Sequence, residues 1–334
     1  AAGAVIMGKT VTTEYAAARP GKTGNPHNLN HTPGGSSSGS AAAVAAGMVP
    51  VAVGSQTLGS ILRPAAYCGV LGFKPSFGTI SRHGVMSVCR ELDHLGLFAR
   101  TVTDLQRVSA VLAVPDLRDP DCCGNAALQS GTEQPVDSAP PRLALWTTPF
   151  WPQIDPRTQQ HFLNCAALLE QSGAAIAPIQ LSADFADCYD DAQTLMSVGL
   201  AVNHGGDYDR HGDQLSPKLR DWIERGRQTT AIAYGRARQR TVDYSVALSA
   251  IFADYDAILM PVTTGPAPAT RDDTGSPVLC ALATLCGLPA ISIPAGTADN
   301  GLPLAVQLMG KKYGDRDLLQ IADWLHLRLQ RATG

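Results

Sequence analysis

Two serines on glycine-rich loops are the residues of this chain best suited to covalent chemistry. Ser36 lies in the segment GGSSSGS at 34–40, and Ser60 closes the segment GSQTLGS at 54–60, 24 positions later. A serine hydroxyl is a weak nucleophile at neutral pH, so it needs a nearby base and N–H donors aimed at the oxygen that becomes negative. Glycines let the backbone approach a substrate and direct consecutive N–H groups into one concavity. The two loops therefore predict one shared site for attack on a carbonyl group.

The second loop is the predicted source of those donors, which would form an oxyanion hole. They are the backbone N–H groups of Thr57, Leu58, Gly59 and Ser60. The first loop alone has another interpretation, because a Gly/Ser loop before a helix is also a generic capping or anion-binding motif. In that interpretation Ser40 is the N-cap of a small-residue helix over 41–47. The second loop at a matching spacing favours the shared site.

The two loops together resemble the amidase signature family, whose members hydrolyse C–N amide bonds with a nucleophilic serine, a second serine in a cis peptide and a lysine. The resemblance implies that Ser60 is the nucleophile and that Ser36 is the cis-serine, which relays a proton. It also implies a cis peptide between Gly35 and Ser36, and loop support from Gly35, Ser37 and Gln56. We expect the two hydroxyls to lie within about 3 Å of each other or to be joined through one water.

The resemblance covers nearly the whole chain. Later segments match family landmarks in order: FKPSFG at 73–78, ELDHLG at 91–96, ARTVTD at 99–104, GLPAISIPAG at 287–296 and GLP at 301–303. It is weakest between 115 and 256, where much of the substrate pocket is usually built. The resemblance implies one amidase-signature domain over 1–334. Its class is α/β, with a central mixed and largely parallel sheet flanked by helices on both faces.

The reaction that the resemblance implies is attack of Ser60 on a small-molecule amide, loss of ammonia or an amine, and hydrolysis of the acyl-enzyme. No metal or organic cofactor takes part. A rival within the family is the glutamine-hydrolysing component of a transfer-RNA amidotransferase, which passes ammonia to a partner. A rival of another class is a catalytically silent scaffold. A homodimer is left open, and the sequence names neither the acyl group nor the amine.

The catalytic lysine of the family has no counterpart among the residues matched so far. It sits upstream of the segment GAVIMGKT at 3–10, so we expect an N-terminally truncated copy that is inactive or weak on amides. Such a lysine is held neutral by burial, accepts the proton relayed from Ser60 and returns it to the leaving amine. Lys9 and Lys74 match family lysines with other places in the fold, and Lys22 lies in a polar loop, so these three are poor substitutes.

Two departures from the family pattern fall on the second loop. Leu58 stands where a glycine is usual, and a β-carbon there costs roughly 1 to 2 kcal/mol if the backbone must be left-handed. Gln56 and Leu62 stand where the family often has aspartate and arginine. Losing one partner of a buried ion pair strands a charge, whereas losing both can be nearly harmless. The paired change therefore indicates a repacked site.

Two other functional patterns compete with this interpretation. The segment 3–10 matches the phosphate-binding pattern GxxxxGK[ST], but its context is wrong, because its apolar interior itself predicts a buried strand. A Ser-His-Asp triad on Ser60 also has candidate partners. They are Asp93, His94, His27, His31 and His83. Neither serine lies in the GxSxG elbow of the α/β-hydrolases, however, which disfavours a triad of that class.

Composition agrees with an intracellular enzyme, and we expect a cytoplasmic location. The net charge of −3 gives no basic footprint for direct binding of nucleic acid, and no apolar stretch has membrane-spanning length. The eight cysteines show no paired metal spacing and suit reduced, mostly buried thiols. Cys122 and Cys123 lie in a polar loop, where we expect both to be exposed to solvent.

Periodicity predicts the elements that position the serines. A helix over 41–47 and a strand over 49–53 bring the two loops back towards each other. Residues 115–142 are rich in Pro, Asp, Gly and Ser and predict a surface connection. A strand at 143–146, a helix at 155–173 and a strand at 174–179 predict a βαβ unit. Further elements are a helix at 229–253, a strand at 257–261 and a helix at 315–329.

Overall fold

Eight strands form one open mixed sheet in the computed structural model of the chain, which describes residues 3–130 and 139–333. They are β1 (Val51–Gln56), β2 (Leu71–Lys74), β3 (His94–Ala99), β4 (Arg142–Leu145), β5 (Ala175–Pro178), β6 (Ala257–Pro261), β7 (Ala290–Thr297) and β8 (Pro303–Met309). Their order across the sheet is β1-β3-β2-β7-β8-β6-β4-β5. The strand β1, which leads into the second serine loop, therefore lies at one edge.

Helices cover both faces of this sheet. They are α1 (Ser38–Ala45), α2 (Leu62–Cys68), α3 (Val102–Leu112), α4 (Ala126–Gln129), α5 (Pro156–Gln171), α6 (Cys188–His211), α7 (Pro217–Gln228), α8 (Ala231–Asp254), α9 (Ala281–Leu285) and α10 (Asp315–Thr333). Alternate residues of a strand face opposite sides, so the sheet contributes to two hydrophobic cores. Met196 of α6 and Leu248 of α8 belong to one core. Phe162 of α5 and Leu325 of α10 belong to the other.

The predicted fold class is confirmed as α/β with a mixed sheet and helices on both faces, but the expectation of largely parallel strands was wrong. Within the described residues β4 pairs in parallel with β5 and β6, and every other neighbouring pair is antiparallel. The prediction extended the alternation of residues 142–261 to the whole chain. Outside residues 142–261, short connections such as 298–302 join antiparallel neighbours, which need no crossover helix.

The predicted βαβ unit is confirmed with small shifts in its bounds. The helix α5 connects the parallel strands β4 and β5. Asp155 caps this helix by accepting hydrogen bonds from the N–H groups of Arg157 and Thr158. The bounds of β6 are those predicted, and α10 starts where expected and runs to Thr333. Within the described residues, no helix combines the length and the apolar character needed to cross a bilayer.

The segment 3–13 corrects a prediction, because its apolar run is not a buried strand. Residues 3–13 have no regular structure, and the side chains of Val5, Ile6 and Met7 are 83%, 90% and 75% exposed. In the described part of the chain no strand lies beside this run to cover it. The phosphate-binding pattern also lacks its structural context, because in the described residues no helix follows it directly and residues 11–13 have no regular structure.

The helix between the two serine loops starts earlier than predicted. The N-cap position of α1 is Ser37, and Ser40 lies inside the helix. The hydroxyl of Ser40 donates to the backbone carbonyl of Val53 at 2.8 Å, so it joins α1 to the sheet instead of capping the helix. Gly47, with φ +71°, follows the end of α1 as predicted. The strand β1 begins at Val51, two residues later than the pattern suggested.

The segment expected as a surface connection at 115–142 is partly embedded in the fold. Residues 131–138 lie outside the described residues. In the described part, Asp119 and Leu128 are buried and the short helix α4 forms. Cys123 is exposed as predicted, but Cys122 is buried, because its loop folds back against the preceding residues and its thiol donates to the carbonyl of Val114. All eight cysteines are free thiols, as expected.

Candidate active site

The loop that carries Ser36 is held by the N-terminal segment. The peptide between Gly35 and Ser36 is cis, which confirms the sequence-based prediction. The carbonyl of Ser36 accepts hydrogen bonds from the Thr13 N–H at 3.2 Å and from the Thr12 hydroxyl at 3.1 Å. Ser36 is buried, with 3% of its surface exposed. The carbonyl of Ser36 is therefore held by two donors of the N-terminal segment.

Ser37 joins the first serine loop to the strand that leads into the second. Its hydroxyl donates to the carbonyl of Ser55 at 3.1 Å and accepts from the Ser55 N–H at 3.2 Å. Ser55 lies on β1, five residues before Ser60. A side chain that satisfies both polar groups of one residue on an edge strand substitutes for a neighbouring strand at that point. Ser37 thus links the first serine loop to β1.

Gln56 holds the second serine loop through buried hydrogen bonds. It is fully buried, and its Oε1 accepts from the N–H groups of Ile61 at 2.8 Å and Leu62 at 3.0 Å. Its Nε2 donates to the hydroxyl of Thr284 at 2.8 Å. That hydroxyl in turn donates to the carbonyl of Leu58 at 3.1 Å. The neutral glutamine therefore binds the loop without an ion pair, which agrees with a repacked site.

Thr57 and Leu58 are anchored by different neighbours. The Thr57 hydroxyl donates to Asp93 Oδ1 at 2.6 Å, and Asp93 Oδ2 accepts from Ser87 and from the N–H groups of Val88 and Cys89. Burial raises the pKa of Asp93, and these donors act against that rise. Leu58 is buried in the core and is not among the residues with positive φ. The cost of a left-handed leucine therefore does not arise.

A third loop, at 262–280, packs against both serine loops and explains their glycines. A Cβ on Gly35 would lie 2.6 Å from Cγ2 of Thr274. A Cβ on Gly59 would lie 2.9 Å from Cβ of Pro277 and 3.0 Å from Cβ of Cys280. Contacts this close exclude a side chain without movement of the third loop. Ser60, which is 8% exposed, follows directly after this contact.

The expected base is not among the lysines near the site. In the part of the chain that the structure describes, no lysine amine hydrogen-bonds Ser36 or Ser60, and the two hydroxyls do not hydrogen-bond each other directly. Lys9 is exposed and donates to the carbonyl of Thr10. Lys22 is exposed. Lys74 is fully buried, and burial lowers its pKa to about 7, but its amine donates to the carbonyls of Pro75 and Leu288.

Three of the four histidines considered for a triad bond to backbone carbonyls instead of to Ser60. Nδ1 of His94 lies 2.6 Å from the carbonyl of Leu92, and Asp93 is occupied by other donors. Burial lowers the pKa of His94 well below its ordinary value. His27 bonds to the carbonyl of Cys68, and His31 bonds to that of Ala267. His83 is exposed. The triad interpretation has no support in these contacts.

Three features of the site were not predicted from the sequence: Thr284, the contact between Thr57 and Asp93, and the loop 262–280. The loop carries no motif that marks it, and its contacts depend on pairing between distant strands. Thr284 lies three residues before the segment GLPAISIPAG, which was the nearest available signal. Asp93 was singled out only as a triad partner, although it proves to hold Thr57.

Comparison with known proteins places this arrangement in one family. The family model described as Amidase matches residues 1–319. A glutamyl-tRNA(Gln) amidotransferase subunit from Symbiobacterium thermophilum is 33% identical, over 99% of this chain and 75% of that protein. The solved structure of the corresponding subunit from Thermotoga maritima superposes with a TM-score of 0.81 at 27% identity, covering 96% of this chain and 73% of that one. Peptide amidase from Stenotrophomonas maltophilia gives a TM-score of 0.79 at 28% identity, covering 98% and 74%.

An open mixed sheet flanked by helices is thus the fold that this chain shares with solved amidases. The chain belongs to the Amidase family.

Proposed function

We propose that the chain hydrolyses a C–N amide bond through an acyl-enzyme on Ser60. The observation that supports this most is the convergence of three loops. Ser37 bonds to Ser55, and the loop at 262–280 packs against both Gly35 and Gly59. Fixing two hydroxyl groups and a run of N–H donors before the substrate arrives is the arrangement that accelerates acyl transfer. Membership of the Amidase family agrees with this chemistry.

In the proposed reaction Ser60 Oγ attacks the amide carbonyl carbon while its proton passes to the Ser36 hydroxyl and onward to a base. The carbonyl oxygen becomes negative and accepts hydrogen bonds from N–H groups of the residues 57–60. Collapse of the tetrahedral intermediate breaks the C–N bond, and the relayed proton returns to the leaving amine. Water then attacks the ester on Ser60 and gives up a proton by the same route. Collapse of this second intermediate breaks the bond between the acyl carbon and Ser60 Oγ, the proton returns to Oγ, and a carboxylic acid is released.

The base in this scheme is a lysine, and in the described part of the chain no lysine amine hydrogen-bonds Ser36 or Ser60. Lys74 is the one buried lysine in the described part of the chain whose pKa is lowered towards neutrality, but its amine is committed to two carbonyls. We therefore propose that the chain alone is nearly inactive on amides and that a longer chain carrying the lysine is active. The setting is the cytoplasm, and the substrate is a small amide.

Ammonia release from simple primary amides tests the assignment. Three proteins are compared: the 334-residue chain, a chain extended by the upstream coding sequence, and the extended chain with Ser60→Ala. We expect turnover only in the extended chain with Ser60 intact, and a loss of several orders of magnitude on Ser60→Ala. Robust turnover without the extension would contradict the external base. Turnover that survives Ser60→Ala would contradict the nucleophile.

A second candidate function is glutamine hydrolysis within an amidotransferase, because similar proteins include a subunit of glutamyl-tRNA(Gln) amidotransferase. In that case glutamine would be hydrolysed far faster than other primary amides, and ammonia would pass to a partner protein. Comparing kcat/KM for glutamine and for propionamide, with co-purification of partners, separates the two. Absence of both activities in a folded extended chain would favour a catalytically silent scaffold. The oligomeric state is a separate question, and gel filtration would show whether the chain elutes as a dimer.

A further inference from the structure

Arg63 carries a buried charge that the proposed mechanism does not use. It follows Ser60 by three residues, in the first turn of α2, and its backbone N–H donates to the carbonyl of Gly59 at 3.0 Å. The residue is 5% exposed. Arginine is almost never fully buried unless its guanidinium group is well paired. The side chain of Arg63 is therefore expected to have buried hydrogen-bond acceptors.

The guanidinium group of Arg63 joins the two other loops of the site. Its Nη2 donates to the carbonyl of Gly35 at 2.7 Å, and that carbonyl belongs to the cis peptide that leads into Ser36. Its Nη1 donates to the carbonyl of Gly275. Gly275 lies in the loop 262–280, next to Thr274, which itself contacts Gly35. Arg63 therefore contacts all three loops, because its backbone N–H bonds to the loop of Ser60 and its side chain bonds to the other two.

Stability alone explains this arrangement poorly. Burial lowers the pKa of Arg63, which means that the charged form is disfavoured by its surroundings. Its Nε is buried and has no hydrogen-bond partner among the described residues. Two neutral carbonyls repay only part of the free energy of removing a guanidinium group from water. Buried charged groups of this kind are sometimes retained because they specify one geometry.

We propose that Arg63 is a positioning residue that fixes the cis-serine loop relative to the nucleophile. The planar guanidinium fork spans two carbonyls at a set angle, so it holds the backbone of Gly35 at a fixed distance from the helix that begins after Ser60. Lysine places its charge at a single point and cannot reproduce the fork. We call the two hydrogen bonds from Arg63 to Gly35 and Gly275 the clamp. The clamp is inferred from these contacts alone, whereas its effect on catalysis rests on the proposed function of Ser36 and Ser60.

Hydrogen exchange measured by mass spectrometry tests the clamp without any activity. The variants are Arg63→Met and Arg63→Lys, and the matched control is Arg100→Met. Arg100 also donates to two backbone carbonyls, those of Val44 and Val49, but does not contact the loop residues Gly35 or Gly275. We expect exchange in the segments 34–41 and 56–62 to accelerate about tenfold in both Arg63 variants and to stay at the wild-type rate in the control. Rates within about twofold of the control would overturn the clamp.

Covalent labelling of Ser60 by a fluorophosphonate tests the catalytic meaning. Because Arg63 acts through loop geometry, the maximal labelling rate should fall about tenfold in both Arg63 variants, while the probe concentration at half-maximal rate stays the same. Full rescue by Arg63→Lys would show that charge matters and the fork does not, which contradicts the proposal. If wild-type Ser60 is not labelled at all, the proposed function fails, and hydrogen exchange still decides whether the clamp exists.

Discussion

At the scale of single residues, the placement of the Leu58 side chain can be tested by substitution. A leucine inside a presumed oxyanion hole invites replacement by glycine, but its side chain packs in the core and its φ is not positive. Leu58→Ala should therefore lower the free energy of unfolding by about 2 to 4 kcal/mol, through lost contacts and a cavity. Urea denaturation measures this. The exposed Leu117 gives a control, because Leu117→Ala should change stability by less than about 0.5 kcal/mol.

A Leu58→Ala variant that keeps wild-type stability, or a Leu58→Gly variant that labels Ser60 faster than wild type does, would contradict the placement of this side chain. In that case the leucine would face the substrate and not the core.

At the scale of elements, Arg82 joins the segment after β2 to the connection that follows α3. Its guanidinium group donates to Asp119 at 3.0 Å and to Asp121, and its side chain is 12% exposed. The hydrogen bond from Arg82 is the main cause of the lowered pKa of Asp119. Because the folded pKa is depressed, the stabilisation is present above the unfolded pKa of about 3.9 and is lost as pH falls through the folded value.

Asp119→Asn should therefore lower stability at pH 7 by about 1.5 to 3 kcal/mol, since it weakens charge-assisted hydrogen bonds in a mostly buried setting. The difference from wild type should shrink as pH falls below about 4. Thermal unfolding of both proteins between pH 3 and pH 7 measures it. The exposed pair of Arg157 and Asp299 supplies the control, and Asp299→Asn should have little effect at any pH. A difference that is constant across this range would show that the charge of Asp119 is not what stabilises the connection.

Elements with strong local patterns were predictable, and elements fixed by distant partners were not. The helix α5 has its N-cap at Asp155 and its buried face at Phe162, Ala166 and Leu169, all of which follow from spacing. The apolar run at 3–8 has the pattern of a strand but lies exposed, because strand formation depends on a neighbour that local sequence does not supply. The loop 262–280 lies near the serines because β6, β7 and β8 pair with one another, and no short sequence motif predicts that pairing.

The candidate site shows the same division. Ser36 and Ser60 were indicated by residue type and spacing, and Ser37 and Gln56 by the family resemblance; the structure brings their loops together. The expected direct hydrogen bond between the two serine hydroxyls is absent from the described structure, so of the two expected arrangements only the bridge through one water stays a prediction. The contacts of Arg63 were not predicted, because a charged residue beside the nucleophile is equally consistent with an exposed helix start. Only the burial of Arg63 in the structure reveals its contact with three loops.

At the scale of the whole molecule, Lys74 should leave a signature in the pH dependence of stability. Burial lowers its pKa to about 7, whereas the unfolded value is about 10.4. Between these values the unfolded chain binds the additional proton, so this group makes stability rise with pH by up to about 1.4 kcal/mol per pH unit. Denaturation of wild type and of Lys74→Met from pH 6 to pH 10 should show this slope in their difference. A flat difference would mean that Lys74 stays charged in the folded protein.

The measurement that tests the central claim most directly is the identity of the residue that forms a covalent adduct. The chain is incubated with a fluorophosphonate, digested and mapped by mass spectrometry, alongside Ser60→Ala and Ser36→Ala. An oxyanion hole and binding alone can retain about 10³ to 10⁴ of rate enhancement over water in serine hydrolases, so slow labelling is expected even without the base. The account predicts one adduct on Ser60, no adduct in Ser60→Ala and slower labelling in Ser36→Ala. An adduct on another residue, or one that persists in Ser60→Ala, would contradict it.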